Sequence, residues 1–126
     1  MNLDQIRKKY SISLILMHGS QVDGKVHPKS DMDIAFMQEK THKEINLLDL
    51  IFDLSTYFKT NKLDLVNLTH ANPLLLQAVL TKSKLLSGST SDYDKLSLLA
   101  FHKYSDYFPY FEMEANFIKE KISRYA

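Results

Sequence analysis

The apolar positions of this chain fall into runs of two kinds. Ile12 to Met17 is a compact apolar run that ends at Gly19, and Asp31 to Met37 and Lys62 to Leu68 repeat it. Runs of this length bounded by turn residues predict buried strands. Helical spacing fills the intervals. Leu3, Ile6 and Tyr10 share one side of Asn2 to Tyr10. Thr41 and Glu44 form a T-x-x-E capping box, followed by Leu47, Leu48, Ile51, Leu54 and Phe58, so the spacing predicts a helix from Thr41 that Asn61 stops. Asn72 and Pro73 make an N-cap and first-position pair for a helix through about Lys82. Lys84 to Ser87 reads as a short edge strand before the Gly88-Ser-Thr-Ser turn. Asp92 then caps a last helix towards Tyr125, which Pro109 must kink or split because proline lacks the donor and clashes with the preceding turn. Gln21 to Ser30 is polar, with Gly24 and Pro28, and reads as loop, with a short helical turn beginning at Ser20. The order α-β-loop-β-α-β-α-β-α describes a small mixed α/β (α+β) layer fold. It forms a single domain over residues 1–126, with a core of about 1–90 and a helical tail of about 91–126.

Composition narrows the class. With 126 residues, 44% hydrophobic and 25% charged, the chain suits one soluble globular domain with a modest core. Its net charge of +1 gives no basic excess for gripping a phosphate backbone, so no direct nucleic-acid binding is expected. No cysteine is present, which excludes disulfides, thiolate metal sites and cysteine nucleophiles. Met1 to Lys9 is polar and charged, unlike a secretory signal, and no apolar run approaches the roughly 20 residues that span a bilayer. A cytoplasmic protein is the expectation.

Candidate chemistry sits at strand ends. Successive strand residues point to opposite faces, so Asp31 and Asp33 share one, with Cα atoms about 6.6 Å apart. Two carboxylates at that separation can lean over one metal or bridge a pair. Asp64 lies between Leu63 and Leu65, and an acid inside an apolar strand is costly unless paired, protonated or metal-bound. If its strand lies beside that of Asp31 and Asp33, three carboxylates converge, and divalent magnesium is the cation that such oxygens suit. Gly19 permits a tight turn and a close backbone approach, and Ser20 adds a hydroxyl donor to a turn able to hold phosphate. Taken singly, each feature is common in ordinary turns and strand edges. Their joint order is not.

Leu16-Met-His-Gly-Ser20, Ser30-Asp-Met-Asp-Ile-Ala35 and Leu63-Asp-Leu-Val66 together resemble the minimal nucleotidyltransferase (MNT) family of the DNA polymerase beta-like superfamily, whose hallmark is G-S-x(10)-D-x-D. The resemblance runs through nearly the whole chain, including the tail with Tyr104, Asp106, Tyr107 and Pro109. It implies a polymerase beta-like fold with a mixed sheet carrying the site, ATP as substrate and two magnesium ions. It also implies an antitoxin paired with a HEPN-domain ribonuclease toxin, neutralised by transfer of AMP to a tyrosine. Carried over by position, Gly19 and Ser20 contact the nucleotide phosphates, while the catalytic acids Asp31, Asp33 and Asp64 bind the metals.

One departure stands out. Family members often carry arginine where this chain has Asp23, and a carboxylate there cannot help to bind a triphosphate. Lys25 and Lys29 are movable cations in the same loop, and equally ordinary solvated lysines. That departure motivates the alternative of an inactive antitoxin acting by binding alone. His18 reads as a packed strand-end histidine; His27, His42, His70 and His102 lack metal-ligand spacing, and Lys82 and Lys84 read as a solvated edge. The tail is rich in aromatics, among them Tyr104, Phe108, Phe111 and Phe117, more than a small helix buries, which makes it a docking face for a homo- or hetero-oligomer. An enzyme acting on a small hydroxyl compound ranks last, because its relatives carry a larger C-terminal domain.

Overall fold

The computed structural model describes residues 1–19, 22, 31–40 and 44–125, with every side chain among them but that of Tyr125. Along them run α1 (Leu3–Lys9), β1 (Ile12–His18), β2 (Met32–Gln38), α2 (Leu47–Phe58), β3 (Leu63–Asn67), α3 (Pro73–Thr81), β4 (Ser83–Gly88) and α4 (Thr90–Tyr125). This is the order that the apolar pattern predicts. The loop Gln21–Ser30, Val22 excepted, lies outside the described residues, as do Ser20, Thr41 and His42.

Local side-chain chemistry explains most boundaries. Asn2 and Gln5 exchange hydrogen bonds of 2.8 Å with each other's backbone N–H, a capping box that starts α1. Asn72 accepts the N–H of Leu75 at 2.8 Å, with Pro73 in the first turn of α3, as predicted. Two starts differ from expectation. Glu44 to Asn46 is not helical, and α2 begins at Leu47 with Asn46 accepting the N–H of Asp49. Asn46 takes the cap because a short side-chain oxygen beside the first apolar turn satisfies donors that Glu44 cannot reach from outside the helix. In the same way Ser89, not Asp92, caps α4: its hydroxyl accepts the Asp92 N–H at 3.2 Å. The stop of α2 comes from Lys59, held at φ +54°, whose N–H turns back to the carbonyls of Ser55 and Thr56. Pro109 does not split α4, which is continuous over 36 residues; the carbonyl left without a backbone donor falls on a solvent-exposed stretch.

The strands form one mixed sheet in the order β3-β2-β1-β4. β1 is antiparallel to β2 and to β4, whereas β2 and β3 run parallel across the α2 crossover. Each face buries its own core. Leu14, Leu16 and Ala35 pack against Leu76, Val79 and Leu80 of α3 and Leu96 and Ala100 of α4. Ile12, Ile15, Ile34 and Phe36 pack against Leu3 and Ile6 of α1 and Leu50 and Leu54 of α2. Strict alternation would place Ile12 with Leu14. A register slip against β2 between those residues inserts one extra position, so Ile12 and Ile15 share a face.

Polar ties hold the outer layer. The Arg7 guanidinium donates to the buried Ser87 hydroxyl at 2.8 Å, and that hydroxyl donates to Asp4, which pins α1 to β4. Lys9 and the Tyr10 hydroxyl both donate to Asp53, at 2.8 and 2.5 Å, and so join α1 to α2. Past Ala100, no described residue of α4 is buried.

Candidate active site

One end of the sheet gathers the predicted chemistry. β1 finishes there at His18, while β2, β3 and β4 begin there; His18 is in register with Ser83, and Met17 with Ile34. Alternation along β2 puts Asp33 on the same face as Ala35, towards α3 and α4, and along β3 puts Asp64 on the face of Val66. Parallel pairing then sets Asp33 directly beside Asp64, at the strand spacing of about 4.8 Å. Asp31 stands just before β2, exposed, two residues up the chain from Asp33.

Gly19 closes the site from the β1 side. Its φ is +81°, a conformation that side chains rarely adopt, and a Cβ built on it would lie 2.7 Å from Oδ2 of Asp33. The turn therefore runs so close to this carboxylate that a side chain here would strain the backbone and displace Asp33. The Gly19 N–H donates to the carbonyl of Lys82 at 3.1 Å, which ties the turn to the junction of α3 and β4. Ser20, the second half of the predicted phosphate grip, lies outside the described residues, together with Asp23, Lys25 and Lys29.

His18 ends β1 as the packed strand-end histidine expected from the sequence. It is half-buried, and its Nε2 is buried without a hydrogen-bond partner among the described residues. Burial holds its pKa below the ordinary 6.5, while the charges of Asp33 and Asp64 pull the other way. A neutral imidazole with an unpaired nitrogen thus lies within the field of both carboxylates. Sequence reasoning missed Lys82 and Ser83. The Ser83 hydroxyl donates to the Leu80 carbonyl at 3.0 Å and shares a 2.5 Å hydrogen bond with the Tyr93 hydroxyl, so α4 braces this end of the sheet. No spacing in the chain signals that contact, because it depends on α4 folding back against the start of β4.

The donors are carboxylate oxygens with no thiolate, the set that suits a hard divalent cation. Among the described residues, no three His, Cys, Asp or Glu side chains stand close enough together to hold one ion. The strand register brings Asp33 and Asp64 side by side, while Asp31 stands outside the strand and does not complete a three-carboxylate cluster among the described residues.

Comparison with known proteins places these features in context. The family model described as "Polymerase beta, Nucleotidyltransferase" matches residues 2–92. The protein adenylyltransferase MntA of Shewanella oneidensis is 31% identical over 93 residues, which are 74% of this chain and 66% of that protein, slightly under two thirds of its length. A chain in a crystal structure of a toxin–antitoxin with AMP-PNP is 26% identical with a TM-score of 0.71, over 94% of each chain. A structure of the tri-AMPylated Shewanella oneidensis HEPN toxin in complex with the MNT antitoxin matches at 23% identity and a TM-score of 0.64, covering 94% of this chain and 91% of that one, a likeness of fold. No helix among the described residues is long and apolar enough to cross a membrane.

Proposed function

Because this chain belongs to the polymerase beta nucleotidyltransferase family, we propose that it is an antitoxin adenylyltransferase that moves AMP from ATP to a tyrosine hydroxyl of a cognate HEPN ribonuclease toxin. The observation that carries the reading is the parallel register of Asp33 with Asp64, with Gly19 pressed against the Asp33 carboxylate. The name of the MntA relative and the nucleotide analogue in the toxin–antitoxin structure support the same chemistry.

The acceptor oxygen attacks the α-phosphorus of ATP in line with the departing pyrophosphate. One P–O bond forms, one breaks, and the hydroxyl proton passes to solvent. Asp31, Asp33 and Asp64 would hold two magnesium ions, whose charge, when bound, offsets that of the triphosphate and lowers the pKa of the acceptor hydroxyl. Gly19 keeps the backbone low beside Asp33, so that a phosphate can approach without meeting a side chain. Ser20 offers its hydroxyl to the phosphates, and Asp23 leaves this task to fewer cations than the family usually supplies. Positioning and a fixed electrostatic field supply most of the acceleration.

Transfer of label from α-labelled ATP to a HEPN toxin tests the reading. The Asp31→Asn, Asp33→Asn protein should lose transfer by at least about a hundredfold, as removal of preorganised charge does elsewhere, while its Tm holds or rises because two like charges are gone. Undiminished transfer by that protein would remove the assigned site. If the double variant still neutralises the toxin fully without ATP, the chain acts by binding alone.

A further inference from the structure

The outer part of α4 carries a periodic seam of which its own chain half-covers Tyr104 and Phe111 and leaves the other residues exposed. Tyr104, Phe108, Phe111, Ala115, Ile118 and Ile122 follow one another at alternating intervals of four and three residues, the heptad spacing of a helix that packs against another helix. Phe108, Ile118 and Ile122 are 44%, 55% and 64% exposed, and no described residue after Ala100 is buried. Pro109 points away from this seam on the helical wheel, so the break in the backbone ladder falls on the outer side.

The charges beside the seam identify the partner. Glu112 and Lys119 flank it on one side, one heptad apart; Glu114 and Lys121 do the same on the other. None of the four has an opposite charge three or four residues away, so none is paired along its own helix in the usual manner. Spacing by seven leaves them unmatched within one helix and matched between two. In an antiparallel pair with Ala115 opposite Ile118, flanking positions of the same kind meet across the interface. Glu112 then faces Lys119 of the second copy, Glu114 faces its Lys121, and the twofold axis makes each pair again. A parallel pair would match only Glu114 with Lys119. Tyr110, Met113 and Phe117 lie off the seam, and the Lys121 ammonium sits 4.9 Å from the Phe117 ring, covering it in the single chain.

We propose that α4 is a self-association surface, on which a second copy of this chain docks its own α4 in antiparallel orientation. The proposal is independent of the transfer reaction. Sedimentation of the full chain from micromolar concentrations upwards tests it. The wild type should form dimers, and Lys119→Glu with Lys121→Glu should raise the dissociation constant by about 30-fold or more, through repulsion at every flanking pair. Glu112→Lys with Glu114→Lys should weaken it similarly, and an equimolar mixture of the two variants should recover association as a heterodimer. Direction is read separately. Lys103→Cys gives a unique label site in a chain without cysteine, and paired spin labels there should lie about 40 Å apart in an antiparallel dimer, against about 10 Å in a parallel one. A wild type that stays monomeric, a dissociation constant indifferent to the charge changes, or labels at the short distance would each overturn the proposal. So would a monomer whose charge-reversed variants lose capture of a HEPN toxin, since the seam would then belong to the toxin.

Discussion

At the scale of single residues, two glycines separate function from stability. Gly19 and Gly88 both have positive φ, +81° and +122°. A Cβ at Gly88 would meet the Ser13 carbonyl at 2.5 Å and a methyl of Leu14 at 2.8 Å, in the packed edge between β4 and β1. Gly88→Ala should therefore destabilise by about 2 kcal/mol or more, from backbone strain and displaced packing, with label transfer by the folded fraction unchanged. Gly19→Ala should cost about 1–2 kcal/mol for its backbone alone, and its methyl must push Asp33 aside, so transfer should fall far more than stability does. Chemical denaturation with a transfer assay on the same samples separates the two. The hallmark spacing made Gly19, Asp31 and Asp33 legible in advance. The orphan nitrogen of His18 was not legible, because its burial depends on what packs over the end of β1.

At the scale of elements, amphipathic patterning and caps carried most of the information. Asn72-Pro73 announced α3 because an N-cap acts through its immediate neighbours. The start of α2 was misplaced at Thr41, since a capping-box pattern specifies a possible cap, while the first apolar turn that packs decides which cap is used; here Asn46 prevails. α4 shows the contrast in one helix. Its first turns contribute Leu96 and Ala100 to the core, and past them no described residue is buried, with Tyr104 and Phe111 half-covered. At concentrations below the dissociation constant of the dimer, where association adds no stability, a chain ending after Tyr104 should therefore keep the thermal midpoint of the full protein within a few degrees. A drop of more than about 8 °C, which corresponds to a loss above 1 kcal/mol in a domain of this size, would show that the outer helix supports the domain.

For the molecule as a whole, the two cores are fastened differently. The α3 and α4 side joins its apolar contacts to the Ser83–Tyr93 hydrogen bond, whereas the α1 and α2 side carries the charged Lys9–Tyr10–Asp53 cluster. The hydrogen bond from Lys9, then that from Tyr10, holds Asp53 below its ordinary 3.8. Its contribution is present above that value and lost as pH falls through the depressed one. Lys9 is raised above 10.5 chiefly by Asp53, and Tyr10 above 10.0 chiefly by burial. Their contributions are present below those values and lost as pH rises through the raised ones. Asp53→Asn should flatten both limbs of the stability–pH curve and leave the neutral plateau nearly level, because exposed pairs are screened. Urea midpoints measured across the pH range would check this; unchanged limbs would show that the cluster has no linkage to folding.

By itself the order of residues determined what depends on near neighbours: strand or helix, the Asn72-Pro73 start of α3 and the glycine of the turn. Alternation and helical spacing are properties of a few consecutive residues, and the chain states them directly. Only the tertiary structure decided that β3 runs parallel beside β2 in the register that faces Asp64 with Asp33, that Lys82 anchors Gly19, and that α4 leaves a core for solvent midway along its length. Those facts join residues far apart in sequence. Their alignment is set by how two apolar cores close on opposite faces of one sheet, a balance that no local window contains.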